Sequence, residues 1–175
     1  MNLDDLEKKE LLSDRLILIP FTLKFCVNIS NNDFSDLKTL NLIRGVNWPD
    51  DEIIETLPKI IRNLSKVDYP TGFESWMIIK KDTREIIGDV GFKGYNFITK
   101  SIDIGYGIIK EERKKGYAQE ACQLLIEWAF SNNFLECITA CCYIDNIDSS
   151  NLLKKLNFIE YSRDENTIYW ALDKS

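Results

Sequence analysis

Residues 101–144 read SIDIGYGIIKEERKKGYAQEACQLLIEWAFSNNFLECITACCYI. Apolar side chains alternate with small or polar ones over residues 101–109, which predicts a strand with one polar face. Residues 117–133 have apolar side chains at helical spacing. Residues 134–144 form a nearly continuous apolar strand, which we expect to be buried on both faces. A strand, a helix and a strand in this order predict a crossover between two parallel neighbours.

The flanking sequence adds further elements without a linker or an internal repeat. Apolar spacing over residues 51–67 predicts a helix that Asp50 or Asp51 caps. We expect Asn157 to hold the left-handed position that ends the last helix. The first dozen residues are charged and suit a helical lead-in. Other strands are predicted at 14–20, 73–80, 86–95, 158–163 and 166–172, and other helices within 21–40 and 145–158. We therefore interpret residues 1–175 as a single α+β domain.

Composition excludes several classes of protein. The chain has 175 residues, with 22 Lys and Arg against 28 Asp and Glu, for a net charge of -6. Nucleic-acid binding relies on a basic surface, so this balance argues against it and favours a cationic substrate such as an amine. No apolar run approaches the roughly 20 residues needed to span a bilayer, and the charged N-terminus lacks a signal-peptide core. We expect a cytoplasmic protein without a membrane partner.

Histidine is absent and cysteine occurs five times. The absence of histidine excludes Ser-His-Asp and Cys-His catalysis and any histidine-ligated metal site. An odd number of cysteines without a CxxC pair argues against a disulfide framework. We expect buried thiols on a strand rather than zinc or redox chemistry, and no metal.

The turn at residues 113–118, RKKGYA, precedes the strongest predicted helix. A helix N-terminus presents unpaired N–H groups, and small residues at 116 and 118 allow an anion to approach them. Three cationic residues add positive charge, so the turn suits a pyrophosphate; the alternative is an ordinary turn with solvated charges. Neither a P-loop nor a dinucleotide-binding fingerprint is present.

The strand before this turn contains Gly105 and Gly107. Glycines within a strand indicate a bulge or a close backbone approach. A bulge would leave backbone groups free to pair with an extended ligand that carries amides.

RKKGYA fits the R/Q-x-x-G-x-G/A motif, and the sequence resembles the GNAT acyltransferase superfamily. SDRLILIPF, IIGDVGF, IDIGYGI, GYAQEA and NIDSSNLLKKLNF are similar, in order, to blocks of its RimJ/RimL-type branch, which includes ribosomal-protein N-terminal acetyltransferases. The resemblance covers roughly residues 13–172. It implies a twisted, mixed but mostly antiparallel sheet of about seven strands, with helices on both faces. It also implies acetyl-CoA as co-substrate.

The resemblance implies a layout for acetyl-CoA. The pantetheine arm would pair with the backbone of Ile108, Ile109 and Lys110. Asn146 matches a family asparagine that contacts the same arm, although an Asx-turn explains it nearly as well. The pyrophosphate would bind the turn formed by Arg113, Lys114, Lys115, Gly116, Tyr117 and Ala118.

Transfer of an acetyl group to an amine requires a neutral amine, a stabilised oxyanion and a proton for the leaving thiolate. Asp103 is the first candidate base, because many relatives carry an acid there, and Glu74 is the second; the alternative for Asp103 is a surface carboxylate. The tyrosine that many superfamily members use as general acid is replaced by Leu153. Ser149 has the spacing of the serine in RimL-like members and could relay the proton, its alternative role being a helix N-cap.

The acceptor is less constrained by the sequence. The resemblance favours the α-amine of a protein N-terminus, such as that of a ribosomal protein, attacked directly in a ternary complex. A polyamine or antibiotic acetyltransferase and a non-catalytic acyl-CoA sensor are the alternatives. A homodimer is compatible with this branch. Four aromatic residues could line the acceptor cleft, although such residues are more often core: Trp48, Tyr69, Phe73 and Trp76.

Overall fold

The structure is a computed structural model that describes residues 10–174. Within that range the strands are β1 (Leu11–Leu12), β2 (Leu16–Pro20), β3 (Ile43–Arg44), β4 (Ser75–Lys80), β5 (Glu85–Asn96), β6 (Ser101–Ile108), β7 (Cys137–Tyr143), β8 (Ile159–Arg163) and β9 (Thr167–Asp173). The helices are α1 (Leu23–Ser30), α2 (Ser35–Thr39), α3 (Asp51–Leu64), α4 (Tyr117–Phe130) and α5 (Ile147–Lys155). The helical lead-in predicted for the first dozen residues falls mostly outside the described residues, and its end forms β1.

All described strands join one sheet in the order β1-β2-β4-β5-β6-β7-β9-β8, with β3 beside β5. Two neighbouring pairs are parallel, β3 with β5 and β6 with β7, and the others are antiparallel. The prediction of an α+β, mostly antiparallel sheet is confirmed. Seven strands have five residues or more; the two-residue strands β1 and β3 raise the count above the predicted seven.

The parallel strands β6 and β7 pair only where they begin. Ser101, Ile102 and Asp103 pair with Cys137, Ile138 and Thr139, and the two strands then separate. The gap between residues 104–108 of β6 and the end of β7 is called the wedge below. Because Ile109 donates its N–H to Ile87, alternation turns the backbone groups of Tyr106 and Ile108 away from β5 and toward the wedge.

The bulge predicted at Gly105 and Gly107 is absent from β6, whose pairing with β5 is continuous there. The register shifts lie in β5 instead, one beside Gly94 and one between Ile86 and Gly88. The close backbone approach expected at these glycines is found at Gly88 instead: a Cβ at Gly88 would lie 2.1 Å from the Gly107 carbonyl oxygen, whereas a Cβ at Gly107 would lie 3.5 Å from the Asp89 side chain. Free backbone groups on β6 therefore result from strand separation rather than from a bulge.

Strand β7 alternates in burial, so the prediction that both its faces are buried is wrong. Ile138, Ala140 and Cys142 are buried, whereas Cys141 and Tyr143 on the other face are exposed. Helix α5 covers the buried face, where Cys142 Sγ lies 3.4 Å from the Ser150 hydroxyl.

Helices cover both faces of the sheet. Trp128 of α4 packs against Trp76 of β4, with ring centroids 5.5 Å apart. Ser75 precedes Trp76 and therefore points to the opposite face, where it lines a cavity with Ile53 and Ile60 of α3. Helix α3 continues through Pro58, and its N-cap is Asp50, which accepts the Ile53 N–H at 3.0 Å.

Candidate active site

The turn before α4 presents open N–H groups to a cavity of about 530 Å³. Gly116 is the N-cap of α4, has φ +83° and makes no side-chain cap hydrogen bond. Because the first bond of the helix runs from Glu120 N–H to the Gly116 carbonyl, the N–H groups of residues 117–119 have no helical partner. The small side chain of Ala118 leaves room for an anion to approach these N–H groups. This is a geometry that suits an anion.

The cations of the turn are divided between structure and solvent. Arg113 donates from Nε to the Ile108 carbonyl at 2.7 Å and pairs with Glu52 at 2.9 Å. Lys115 pairs with Glu112 at 3.0 Å. Lys114, with φ +61°, forms no ion pair with a described residue and lines the cavity. Of the three predicted phosphate-facing cations, only Lys114 thus has an uncommitted charge within the described residues.

The residues at and after the end of β6 differ in their access to the first cavity. Ile108 lines the cavity, whereas Ile109 is fully buried and its N–H is committed to Ile87. Lys110 begins a single 3-10 turn, outside the cavity lining. Lys155 of α5, which sequence reasoning missed, lines the cavity beside the turn.

Arg15 braces this turn from the first hairpin of the sheet. Its Nη1 donates to the Lys115 carbonyl at 2.9 Å, and its guanidinium lies over the Tyr117 ring at 4.6 Å. Glu120 holds Arg15 in place by accepting from its Nε at 2.7 Å. Burial raises the pKa of Glu120, but hydrogen bonds from Ser13 and Arg15 outweigh it and the pKa is lowered.

The wedge brings Tyr106 of β6 close to Ser149 of α5. Asn146 is the N-cap of α5, and its Oδ1 accepts the Ser149 N–H at 3.0 Å. The capping role is therefore filled by Asn146, and the alternative that Ser149 is the N-cap is wrong. The Tyr106 hydroxyl is buried without a hydrogen bond of ordinary geometry to any described residue. Burial raises its pKa, and the nearby Ser149 hydroxyl lowers it by less.

A second cavity, of about 340 Å³, lies on the α3 face of the sheet. Its floor is formed where Gly91, Gly105 and Gly107 lack side chains, and α3 forms the opposite wall. Tyr106, Gly107 and Ile108 line both cavities, so the two meet at the middle of the wedge.

Asp89 of β5 lines this second cavity and was not singled out from the sequence. Its pKa is raised to about 7, chiefly by burial and then by Asp50, with Lys93 lowering it and Glu52 adding a smaller increase. An acid between two glycines in the apolar stretch IIGDVGF was the available signal, because an acidic side chain is seldom buried without a partner.

The two predicted bases lie outside the lining of both cavities. Asp103 sits where β6 and β7 are still paired, accepts from Thr139 Oγ1 at 3.1 Å and lies 3.8 Å from Lys93 Nζ. Burial raises its pKa, while Lys93 and Thr139 oppose the increase. Glu74 accepts the Thr71 N–H at 2.7 Å and the Thr71 hydroxyl at 2.9 Å, which ties it to the turn before β4.

The aromatic residues proposed for the acceptor cleft line neither cavity. Trp48 and Trp76 are fully buried in the core, and Phe73 packs against Trp128 at 5.0 Å. Tyr69 is half exposed on the turn before β4. The alternative that these aromatic residues belong to the core is therefore correct for Trp48 and Trp76.

Residues 15–159 match the acetyltransferase (GNAT) domain family. The chain belongs to the GNAT acetyltransferase family. The uncharacterized N-acetyltransferase YjdG of Bacillus subtilis (strain 168) is 38% identical to it over 141 residues, which cover 81% of this chain and 84% of that protein. The protein is accordingly an N-acetyltransferase, as the sequence predicted.

Solved GNAT structures share the fold at low sequence identity. The ribosomal L7/L12 alpha-N-protein acetyltransferase RimL, in complex with coenzyme A, superposes with a TM-score of 0.67 at 15% identity, covering 94% of this chain and 98% of that one. The microcin C7 self-immunity acetyltransferase MccE, in complex with acetyl-CoA and AMP, superposes with a TM-score of 0.65 at 16% identity, covering 93% and 94%. GNAT acetyltransferases use acetyl-CoA.

None of the helices within residues 10–174 is long and apolar enough to cross a membrane. No group of three or more metal-ligating side chains occurs there.

Proposed function

We propose that this GNAT enzyme transfers the acetyl group of acetyl-CoA directly to a primary amine while both substrates are bound. The amine in this proposal is the α-amine of a protein N-terminus, such as that of a ribosomal protein. The observation that carries the proposal is the meeting of two cavities at the backbone of Tyr106, Gly107 and Ile108. A ligand in one cavity would reach a ligand in the other at this backbone segment.

The first cavity fits the chemistry of acetyl-CoA, which supplies the activated acetyl group. The open N–H groups of residues 117–119 would bind the pyrophosphate, with Lys114 and Lys155 adding positive charge. The backbone groups of β6 that face the wedge would pair with the pantetheine amides. Arg113 and Lys115 would hold the turn in shape, since their charges are already paired.

Ser149 would hand a proton to the departing sulfur. Asn146 caps α5, so the Ser149 hydroxyl is not needed for capping, and it lines the first cavity beside Tyr106. The buried Tyr106 hydroxyl has no partner among the described residues and could hold Ser149 in orientation. Backbone N–H groups at the wedge would stabilise the oxyanion.

An α-amine acceptor makes modest demands on the enzyme. Its pKa of about 7.7–8.0 leaves part of it neutral near pH 7, unlike a lysine amine with a pKa of about 10.4. The name of the RimL neighbour, an alpha-N-protein acetyltransferase, supports this acceptor. The cytoplasmic location, the single domain and the homodimer stay predictions.

Calorimetric titration with acetyl-CoA tests the cofactor half. Ala118 lines the first cavity in the first turn of α4, so Ala118→Glu places a bulky anion there without disturbing the left-handed Gly116. Ala118→Gln adds the same bulk without the charge. We expect wild type to bind, Ala118→Gln to bind more weakly and Ala118→Glu to bind least. Absence of binding by a folded wild type would overturn the proposal.

Product analysis tests the acceptor half. The probes are a peptide with a free α-amine, its N-acetylated copy and the polyamine spermidine, each with acetyl-CoA. Acetylation of the free peptide alone supports the proposal. Preference for spermidine would make the protein a small-amine acetyltransferase, and binding of acetyl-CoA without transfer to any probe would indicate an acyl-CoA sensor.

A further inference from the structure

Asp89 is a buried carboxylate without a partner. The residue is 9% exposed, and its carboxylate forms neither a hydrogen bond nor an ion pair with any described residue. Carboxylates are rarely buried in this way, because removing the charge from water costs free energy that only a partner offsets. The missing partner is therefore expected to be a ligand.

The carboxylate points into the second cavity near the place where the two cavities meet. Asp89 pairs with Gly107 across the sheet, and its Oδ1 lies 3.5 Å from the position that a Cβ at Gly107 would take. Gly107 belongs to the backbone segment that lines both cavities. A group bound at Asp89 would thus lie beside the point that a thioester in the first cavity can reach.

The charges around Asp89 favour a cation. Asp50 and Glu52 face it from α3, and the Cys26 thiol faces it from α1. Three cations also line this cavity, Lys59 and Arg62 of α3 and Lys93 of β5. Of these, Lys93 is the one that lowers the pKa of Asp89; its ammonium pairs with Asp103 at 3.8 Å, and its side chain is 60% exposed. Burial, and secondarily the Asp89 charge, raise the pKa of Cys26 to about 12, so this thiol stays neutral. Because Glu52 is paired with Arg113 at 2.9 Å, the carboxylates available to an ammonium here are those of Asp89 and Asp50.

Resting on the proposed function, we propose that the cavity over Gly91, Gly105 and Gly107 is the amine subsite, and that Asp89 binds the substrate ammonium and takes its proton. The ammonium gives one proton to the Asp89 carboxylate and becomes a neutral amine. The nitrogen lone pair then forms the C–N bond to the thioester carbonyl carbon, and the C–S bond breaks with its electron pair left on sulfur. The second proton leaves the nitrogen and ends on that sulfur, and Asp89 later releases its proton to water.

A nuclear magnetic resonance titration tests this assignment without requiring turnover. The full chain is labelled with ¹³C at the aspartate carboxyl carbons, and Asp89→Asn identifies the resonance of Asp89. The probe is n-butylamine, and n-butanol is the neutral control of matched shape. We expect the amine to lower the apparent pKa of Asp89, since a bound cation favours the carboxylate, and the alcohol to leave it unchanged. An Asp89 titration that butylamine does not shift would overturn the proposal.

Kinetics then compare the two candidate bases. With acetyl-CoA and the peptide that carries a free α-amine, Asp89→Asn is expected to lower kcat/KM by about a hundredfold or more and to remove the limb of the pH profile near pH 7. Asp103 is the competing candidate for the base. Loss of that limb of the pH profile in Asp103→Asn, together with its survival in Asp89→Asn, would also overturn the proposal. Calorimetry with acetyl-CoA on wild type and both variants tests the proposed function separately from the role of Asp89. If wild type does not bind acetyl-CoA, the proposed function is rejected, and the butylamine titration alone then decides whether Asp89 binds an ammonium.

Discussion

Arg15 and Glu120, which lie 105 residues apart in the chain, are joined by two hydrogen bonds to the two oxygens of one carboxylate. The Arg15 backbone N–H donates to Oε1 at 2.9 Å and its Nε donates to Oε2 at 2.7 Å. The same arginine also holds the Lys115 carbonyl and covers Tyr117. The pair therefore connects the first hairpin of the sheet to the turn that presents N–H groups to the first cavity.

Arg15→Ala should weaken acetyl-CoA binding more than it weakens the fold. The turn loses a donor to Lys115 and a cation over Tyr117, so we expect the dissociation constant to rise several-fold. Stability should fall by less than about 1 kcal/mol, because half-exposed ion pairs contribute little. Calorimetry and thermal melting measure the two effects. Lys24→Ala, which removes an exposed pair with Asp36, is the control; equal affinities for the two variants would show that the brace has no role in binding.

Asn146 and Ser149 should separate stability from catalysis. Asn146→Ala removes the N-cap of α5 and should cost about 1 kcal/mol of folding free energy. Ser149→Ala keeps that cap, so its melting temperature should equal that of wild type while acetyl transfer slows. Thermal melts and initial rates on both variants check this. A destabilised Ser149→Ala protein with normal turnover would return Ser149 to a structural role.

Tyr106→Phe should fold at least as stably as wild type. The Tyr106 hydroxyl is buried without a partner among the described residues, and removing an unsatisfied buried group relieves its desolvation cost. The measurement is the urea midpoint at unchanged slope. A clear loss of stability would mean that the hydroxyl is satisfied in solution, most simply by a water molecule between it and Ser149.

Asp89 should make the fold less stable as pH rises from about 4 to 7. The folded protein holds the Asp89 proton to about pH 7, whereas an unfolded chain releases it near pH 3.8. The raised pKa thus favours the folded state most at low pH, and the advantage is lost as pH rises through the folded value. Asp89→Asn should remove this contribution, so its stability relative to wild type should increase from pH 4 to 7 and level off above. Urea unfolding of both proteins across this range measures it; parallel curves would contradict the raised pKa.

Elements with a strong local pattern were predicted well from the sequence. The alternation before residue 109, the helical stripe after Gly116 and the left-handed Asn157, with φ +65°, correspond to observed features. Strands β1 and β3 were missed because two residues are too few to show a period of two. Burial of both faces of β7 was overpredicted, since an apolar sequence does not reveal which face of a strand a helix covers.

Only the part of the site that is continuous in sequence was predicted. The turn at residues 113–118 is continuous in sequence, so its small residues and charges could be recognised together. The partners of those charges, Glu52 and Glu112, and the brace from Arg15 depend on tertiary contacts. Asp89 was missed for the same reason: its cavity is formed by glycines on two strands and by a helix that precedes both.

The wedge also bears on how this molecule avoids joining its sheet to that of another. Unpaired strand edges at the rim of a sheet are where separate chains add to one another and aggregate. Here the unpaired length of β6 lies in the interior of the sheet order, with β7 on its open side. A strand of another chain that paired with this length of β6 would have to lie between β6 and β7 of the same sheet. Interior placement thus keeps a strand edge available to a small ligand while shielding it from intermolecular β-pairing.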